Sequence, residues 1–460
     1  MDQLVCISPV NGREYARRAL TSDAEIARTV ETARRAQREW AQVPLVERCR
    51  VLLGFVEAMT ELNGEIVPEL AWQMGRPVRY KGELGSLVDR VRGIVEIAPS
   101  ALAPEIPDAQ AGTKRLVARV PAGLVLAIAP WNYPILTAAN AIVPALIAGN
   151  AVLLKHAAQT LLAGERIAQA LRMAGLPDGL FANLFLSHEQ TARLLQSGVA
   201  DHAVFTGSVE GGRAIERAAA GSFTTLTLEL GGKDPAYVRP DADLPAAVAA
   251  LVDGSFYNSG QSCCGIERVY VHEAVWQPVL DGFVEAAHGY RLGDPLDPET
   301  SLGPMASAQG AGRVRQQVEA AVAAGARAHV EKGLFPADEA GTAYLMPQLL
   351  TGLDHGMTVM REESFGPVVG LMPVRDDAEA VRLMNDSDYG LTASVWTADL
   401  DIAERLGAEI EAGTVFANRC DYLDPTLAWS GVKDSGRGAS LGRYGFESVT
   451  RPKSFHLRSD

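Results

Sequence analysis

A chain of 460 residues, 47% of them hydrophobic, is long enough to bury a large core in two or three domains. Its formal net charge of −14, with no long Lys/Arg run, excludes the electrostatics of a nucleic-acid or anionic-membrane binder and leaves a small molecule as the expected partner. The opening "MDQLVCISPVNG" has no basic segment ahead of an apolar one, no apolar run reaches about 18 residues, and five cysteines do not make a disulfide framework, so no membrane insertion and a cytoplasmic, reducing location are expected.

In chain order, "TSDAEIARTVETARRAQREWAQ" opens a helical lead-in that runs to about residue 98, with Ser22 and Glu25 at capping-box spacing. "PEIPDAQAGTKRLVARVPAG", over 104–122, reads as a loop entering an alternating strand, an excursion from the main body. Strand and helix then alternate: "LVLAIAP" (124–130), an apolar helix near 134–148, "AVLLK" (151–155), a helix near 160–174, "LFANLF", a short helix and "HAVFTGS". Such a series predicts a parallel sheet covered on both faces, which binds ligands at the carboxyl ends of its strands. After residue 230 a second series follows ("DPAYV", "RVYVH", "PVVGLMPV", "LTASVWT"), and the tail "SVTRPKSFHL" is a strand able to pair with another subunit's sheet. The expected fold class is α/β, with two doubly wound domains, 1–103 with 123–229 and then 230–434, and a small β segment from 104–122 and 447–460.

Several stretches carry residue types suited to chemistry. In "HAVFTGSVEGGR", Gly207 and Ser208 stand between a strand and a helix whose free N–H groups favour a phosphate; a plain turn with Ser208 as N-cap is the other reading. Lys155 closes its strand where an ammonium could meet ribose hydroxyls or simply water. Glu229, among apolar residues before a Gly-Gly pair, would have its pKa raised by burial as a general base requires, unless turn amides satisfy it. "APWNYP" frames Trp131, Asn132 and Tyr133 between prolines, and an amide fixed this way can stabilise an oxyanion. "REESFGPVVG" offers Glu363 and Phe365, and "AWSGVKDSGRG" carries Trp429. "FYNSGQSCCGIE" holds Tyr257 and the adjacent Cys263 and Cys264. The eight histidines do not gather at metal-ligand spacing, so no catalytic metal is expected.

Taken together and in this order, "PWNYP", "FTGS", "ELGGK", "GQSC" and "ESFGP" resemble the motifs of the aldehyde dehydrogenase superfamily over nearly the whole chain. The resemblance implies an NAD(P)⁺-dependent oxidoreductase in which Cys263, two residues after the Gln, is the nucleophile, Glu229 the base and Asn132 an oxyanion donor. It assigns Gly207 and Ser208 to the pyrophosphate, Lys155 to the adenosine ribose, Glu363 to the nicotinamide ribose, and Phe365 and Trp131 to the ring's surroundings. It makes the first domain the cofactor domain, the second the catalytic one, and the β segment the contact of a homodimer or homotetramer. Cys264 reads as a small packed side chain, with a vicinal disulfide protecting Cys263 as the alternative.

The resemblance also frames the substrate. Succinate-semialdehyde relatives commonly present an Arg near "GQxC", where this chain has Tyr257, and "WNYPILTAAN" supplies none. Tyr133, Tyr257 and Trp429 would then line an apolar channel for an uncharged aliphatic or aromatic aldehyde. The rivals are a succinate-semialdehyde-type enzyme, a CoA-acylating one, which Glu229 argues against, a non-catalytic crystallin-like protein, which would be expected to have lost Cys263 or Glu229, and a cysteine hydrolase, for which no Cys/His pairing is visible.

Many NAD-preferring relatives read "KPxE" where this chain reads "KHAA", so Ala158 stands in place of a ribose-binding carboxylate that would repel a 2′-phosphate. NADP⁺ is therefore expected to be accepted alongside NAD⁺. A kcat/KM ratio of NAD⁺ over NADP⁺ above about 1,000, roughly 4 kcal/mol of discrimination, would contradict this.

Overall fold

A computed structural model describes residues 3–108 and 112–458. The chain opens with a hairpin (Gln3–Ile7, Glu14–Ala19) and three helices, Asp23–Trp40, Leu45–Met74 and Leu84–Ala101. The first helix begins with the predicted capping box: Ser22 Oγ accepts from the Glu25 N–H, and the Glu25 carboxylate accepts from the Ser22 N–H. It ends on Trp40, whose indole N–H donates to the Leu146 carbonyl at 2.8 Å and ties the lead-in to the first sheet layer.

That sheet has six strands in the order Gly436–Arg437, Thr225–Glu229, His202–Thr206, Leu124–Ala129, Ala151–His156, Phe181–Asn183. All pairings are parallel except that of Gly436–Arg437. Every residue of "LVLAIA" and "AVLLKH" is buried, as strands covered by helices on both faces require. The second sheet has seven strands, in the order Arg327–Ala328, Gln348–Thr351, Val368–Val374, Ile266–His272, Asp234–Val238, Thr392–Trp396, Thr414–Ala417. It is parallel but for its first strand. The chain crosses from one sheet to the other through Leu230–Lys233, so the carboxyl end of Thr225–Glu229 faces the gap between them.

The tail joins the excursion, as the β segment of the expected fold requires. Thr450–Arg458 pairs along its whole length with Thr113–Pro121 of its own chain, antiparallel. Both halves of the predicted β segment therefore meet, as a two-stranded ribbon; residues 109–111 and 459–460 of it lie outside the described residues. No helix among the described residues is long and apolar enough to cross a membrane.

The loop ahead of Cys263 has an unusual backbone. Asn258, Ser259 and Gly260 are consecutively left-handed, with φ of 53°, 57° and 67°. L-residues resist this region, at about 1–2 kcal/mol each, so the surroundings must hold it. Asn258 Nδ2 donates to the Asn132 carbonyl at 3.1 Å, and its Oδ1 accepts from Arg76 Nε at 3.2 Å. Ser259 Oγ donates to the Gly303 carbonyl at 2.8 Å, and Gln261 Oε1 accepts from the Ala306 N–H at 2.7 Å. Gly260 has no room for a side chain, since a Cβ there would lie 2.2 Å from the Gly366 carbonyl oxygen.

Candidate active site

The turn that follows this loop carries a half-buried Cys263, which lines two cavities at once. The larger, about 530 Å³, is also lined by Trp131, Asn132, Gly207, Ser208, Glu363 and Phe365. The smaller, about 270 Å³, is lined by Tyr133, Glu229, Tyr257, Cys264 and Trp429. Thr206 faces both. The residues singled out in the sequence thus divide into two groups, and the cysteine stands where the groups meet. Lys155 lies outside both linings, buried at the end of its strand, with no hydrogen bond or ion pair among the described residues; burial lowers its pKa.

Glu229 is buried at the carboxyl end of its strand. Burial raises its pKa above the usual carboxylate value, while hydrogen bonds from Ser440 and Thr206 work in the opposite direction. The Thr206 hydroxyl donates to Oε2 at 3.1 Å and the Ser440 hydroxyl to Oε1. Two side-chain hydroxyls therefore satisfy the carboxylate, not turn amides. Asn132 is equally fixed: its Nδ2 donates to the Gln261 carbonyl at 3.1 Å, which leaves the amide's second N–H available.

On the larger cavity, Ser208 is the N-cap of the eleven-residue helix Val209–Ala219, its Oγ accepting from the Gly211 N–H at 3.2 Å. The N-cap reading is the one seen, and a capped helix start still leaves other backbone N–H groups free at its end. Opposite, Glu363 Oε1 accepts from the Gly232 N–H at 2.9 Å, and burial pushes its pKa up to about 7. The Gly-Gly pair is the reason these walls can touch: a Cβ at Gly231 would lie 2.4 Å from the Glu363 carboxylate, and one at Gly232 2.3 Å from the Cys263 carbonyl oxygen. Next in "ELGGK", buried Lys233 pairs with Glu267 and donates to Ser364 Oγ at 3.1 Å. The Glu267 carboxylate also accepts from the backbone N–H groups of Ser364 and Phe365, at 2.9 and 3.0 Å. The pair holds Phe365 in a left-handed conformation (φ 51°) with its ring edge-on to Trp131, centroids 5.5 Å apart.

The smaller cavity is more polar than an apolar channel. Cys264, buried, donates to Asp421 Oδ1 at 3.0 Å, and Ser262 donates to the same oxygen at 2.8 Å. The neighbouring Cys263 sulfur, then burial, push the Cys264 thiol well above its usual pKa. Arg76 pairs with Glu83 at 2.9 Å beneath the Tyr133 ring, and Arg90 lines the wall as well. Thr206, Ser440, Asp421, Arg76 and Arg90 were not legible as site residues. A signal existed only for Arg90: it follows Leu87 by three and precedes Ile94 by four, which puts a charge on the apolar face of its helix.

A sequence model described as the aldehyde dehydrogenase family matches residues 2–455. The betaine aldehyde dehydrogenase of Cereibacter sphaeroides is 34% identical over 456 residues, 98% of this chain and 93% of that protein. The succinate semialdehyde dehydrogenase [NAD(P)+] of Escherichia coli K12 is 32% identical, covering 96% of this chain and 95% of its own. Among solved structures, the succinic semialdehyde dehydrogenase of Streptococcus pyogenes in complex with NADP+ superposes with a TM-score of 0.93 at 26% identity, over 99% of this chain and 100% of that one.

The raised pKa of Glu363 has a consequence for stability. The folded chain binds a proton at Glu363 more tightly than the unfolded chain, so stability falls as pH rises from about 4.5 to about 7, and the cost is complete above that window. Glu363→Gln keeps an oxygen for the Gly232 N–H and removes the charge. The cofactor-free variant should gain about 1–3 kcal/mol over the parent at pH 8 and much less at pH 5, read from urea midpoints. An equal gain at both pH values would contradict the assignment.

Proposed function

The chain belongs to the aldehyde dehydrogenase family, and on that premise we propose that it oxidises an aldehyde to the carboxylic acid with Cys263 as nucleophile, Asn132 as oxyanion donor and Glu229 as hydrolytic base. The observation that carries the reading is the place of Cys263, on the wall shared by two cavities that hold the two predicted sets of residues.

The larger cavity suits an NAD(P)⁺ molecule: it lies at the carboxyl ends of parallel strands and is fronted by the Val209–Ala219 helix start, with glycines at 231 and 232 where side chains would collide. Gly207 and Ser208 would hold the pyrophosphate, Glu363 the nicotinamide ribose, and Trp131 and Phe365 would flank the ring, with Lys155 toward the adenosine ribose. NADP⁺ is included because Ala158 carries no charge to repel a 2′-phosphate. When bound, the cofactor supplies the acceptor for one hydride.

The remaining chemistry belongs to the chain. Cys263, as thiolate, forms a bond to the aldehyde carbon, and the carbonyl electrons move onto oxygen. The free N–H of Asn132, with the Cys263 backbone N–H, meets that oxyanion; its amide is already aligned by Gln261 and needs no reorganisation. Loss of hydride leaves a thioester on sulfur. Glu229 then takes a proton from water, the resulting hydroxide adds to the thioester, and the C–S bond breaks to release the acid. The Thr206 and Ser440 hydroxyls hold both Glu229 oxygens and support the ionised form against burial. Tyr133, Tyr257 and Trp429 give the smaller cavity aromatic walls for the carbon chain of the aldehyde. The ribbon of Thr113–Pro121 and Thr450–Arg458, exposed along most of its outer strand, is the proposed contact of a homodimer or homotetramer, in a cytoplasmic protein.

Glu229→Gln separates the two half-reactions. The variant should keep a first-turnover burst of about one reduced cofactor per subunit, while steady-state turnover falls on the order of 100-fold or more. Added CoA should not raise turnover of the parent enzyme. Loss of the burst together with turnover, or full turnover retained, would contradict the role given to Glu229.

A further inference from the structure

Two guanidinium groups from the N-terminal lead-in reach the smaller cavity, and only one of them forms an ion pair. Arg76 is paired with Glu83, both side chains almost fully buried. Arg90, 4% exposed, forms no ion pair among the described residues. Its Nη1 donates to Asn140 Oδ1 at 2.5 Å and its Nη2 to the Leu423 carbonyl at 3.2 Å, both neutral acceptors, and its Nε is buried without a partner. Burial lowers its pKa to about 10, so at neutral pH it is still a cation. Glu229 and Asp424 steady that charge from a distance without touching it, and a buried cation with no contacting carboxylate is costly, so an anion entering the cavity would supply the missing contact.

The carboxylates already there do not meet that need. Glu229 has its two oxygens engaged by Thr206 and Ser440, and Asp421 Oδ1 is engaged by Ser262 and Cys264. Asp89 is exposed, where water and salt screen it, and neither Asp89 nor Asp253 forms an ion pair with Arg90 among the described residues. "FYNSGQSC" and "WNYPILTAAN" contain no arginine, yet the structure delivers one from Leu84–Ala101 to Asn140, a member of the second stretch.

We propose that Arg90 recognises a carboxylate carried by the aldehyde, so that the preferred substrate is a short semialdehyde with a carboxylate at its far end. The assignment rests on the aldehyde-oxidation reading above and makes Arg90 a specificity-determining residue. A cavity of about 270 Å³ suits a chain of a few carbons.

The test is a comparison of three four-carbon aldehydes: succinate semialdehyde, butanal and 4-aminobutanal, each with NAD⁺ and with NADP⁺. Wild-type kcat/KM should be at least about 10-fold higher for the semialdehyde than for butanal, with 4-aminobutanal lowest. Arg90→Met should lower the semialdehyde value by about 30-fold or more, mainly through KM, and the butanal value by less than about 3-fold. Arg90→Lys should recover much of the loss, and together with the wild-type ratios it decides the matter if the Met variant does not fold. Wild-type preference for butanal or 4-aminobutanal would overturn the assignment, as would an equal loss for all three aldehydes in Arg90→Met, the mark of a residue that only braces its helix. No cofactor reduction with any of the three would instead overturn aldehyde oxidation itself, and this assignment with it.

Discussion

Three left-handed residues in succession, two of them bearing side chains, form the constraint on which the site depends. A segment of this kind is unfavourable alone by a few kcal/mol. It persists because Asn258, Ser259 and Gln261 each return a hydrogen bond to a different part of the chain: Arg76 and Asn132, Gly303, and Ala306. The same bonds fix where Cys263 emerges, and the Asn132 amide donates to the Gln261 carbonyl in the same net. Cys263 and the Asn132 amide are thus two ends of one hydrogen-bonded unit, so their relative position is set before any ligand arrives.

Around that unit, charge is distributed by burial. Lys233 and Glu267 form a buried pair whose remaining hydrogen-bonding capacity is spent on the Glu363–Phe365 loop, so the ion pair shapes a cavity wall. Glu229 and Glu363 lack such partners, and burial raises both pKa values. Arg90 is the cationic counterpart, desolvated and, among the described residues, without an ion pair. Groups that burial has left uncompensated stand on the cavity walls, where ligands can complete them.

Much of this was legible in the sequence. The doubly wound series was readable because its central strands are continuous apolar runs, and the structure buries every residue of Leu124–Ala129 and Ala151–His156 as that pattern demands. The Gly-Gly pair and the proline-framed Asn132 were readable because close approach and rigid turns need particular residue types. The hydroxyls on Glu229 were not, since Thr206 and Ser440 lie 23 and 211 positions from it and neither residue type is distinctive. Arg90 was missed for a related reason: windows centred on Cys263 and Asn132 cannot show a side chain that a helix beginning at Leu84 brings to the same cavity wall. The pairing of the tail with the 104–122 excursion followed from the resemblance, since strand composition alone does not say which edge a strand will join.

The central claim is that the Cys263 sulfur is acylated during turnover. Rapid acid quenching of the wild-type enzyme with aldehyde and NAD⁺, followed by peptide mass spectrometry, reads this directly. The account predicts a mass increase equal to the aldehyde less two hydrogens on the peptide sulfur of Cys263, lost on longer incubation as acid is released. The same adduct on Cys264, or cofactor reduction at full rate with neither cysteine acylated, would contradict it.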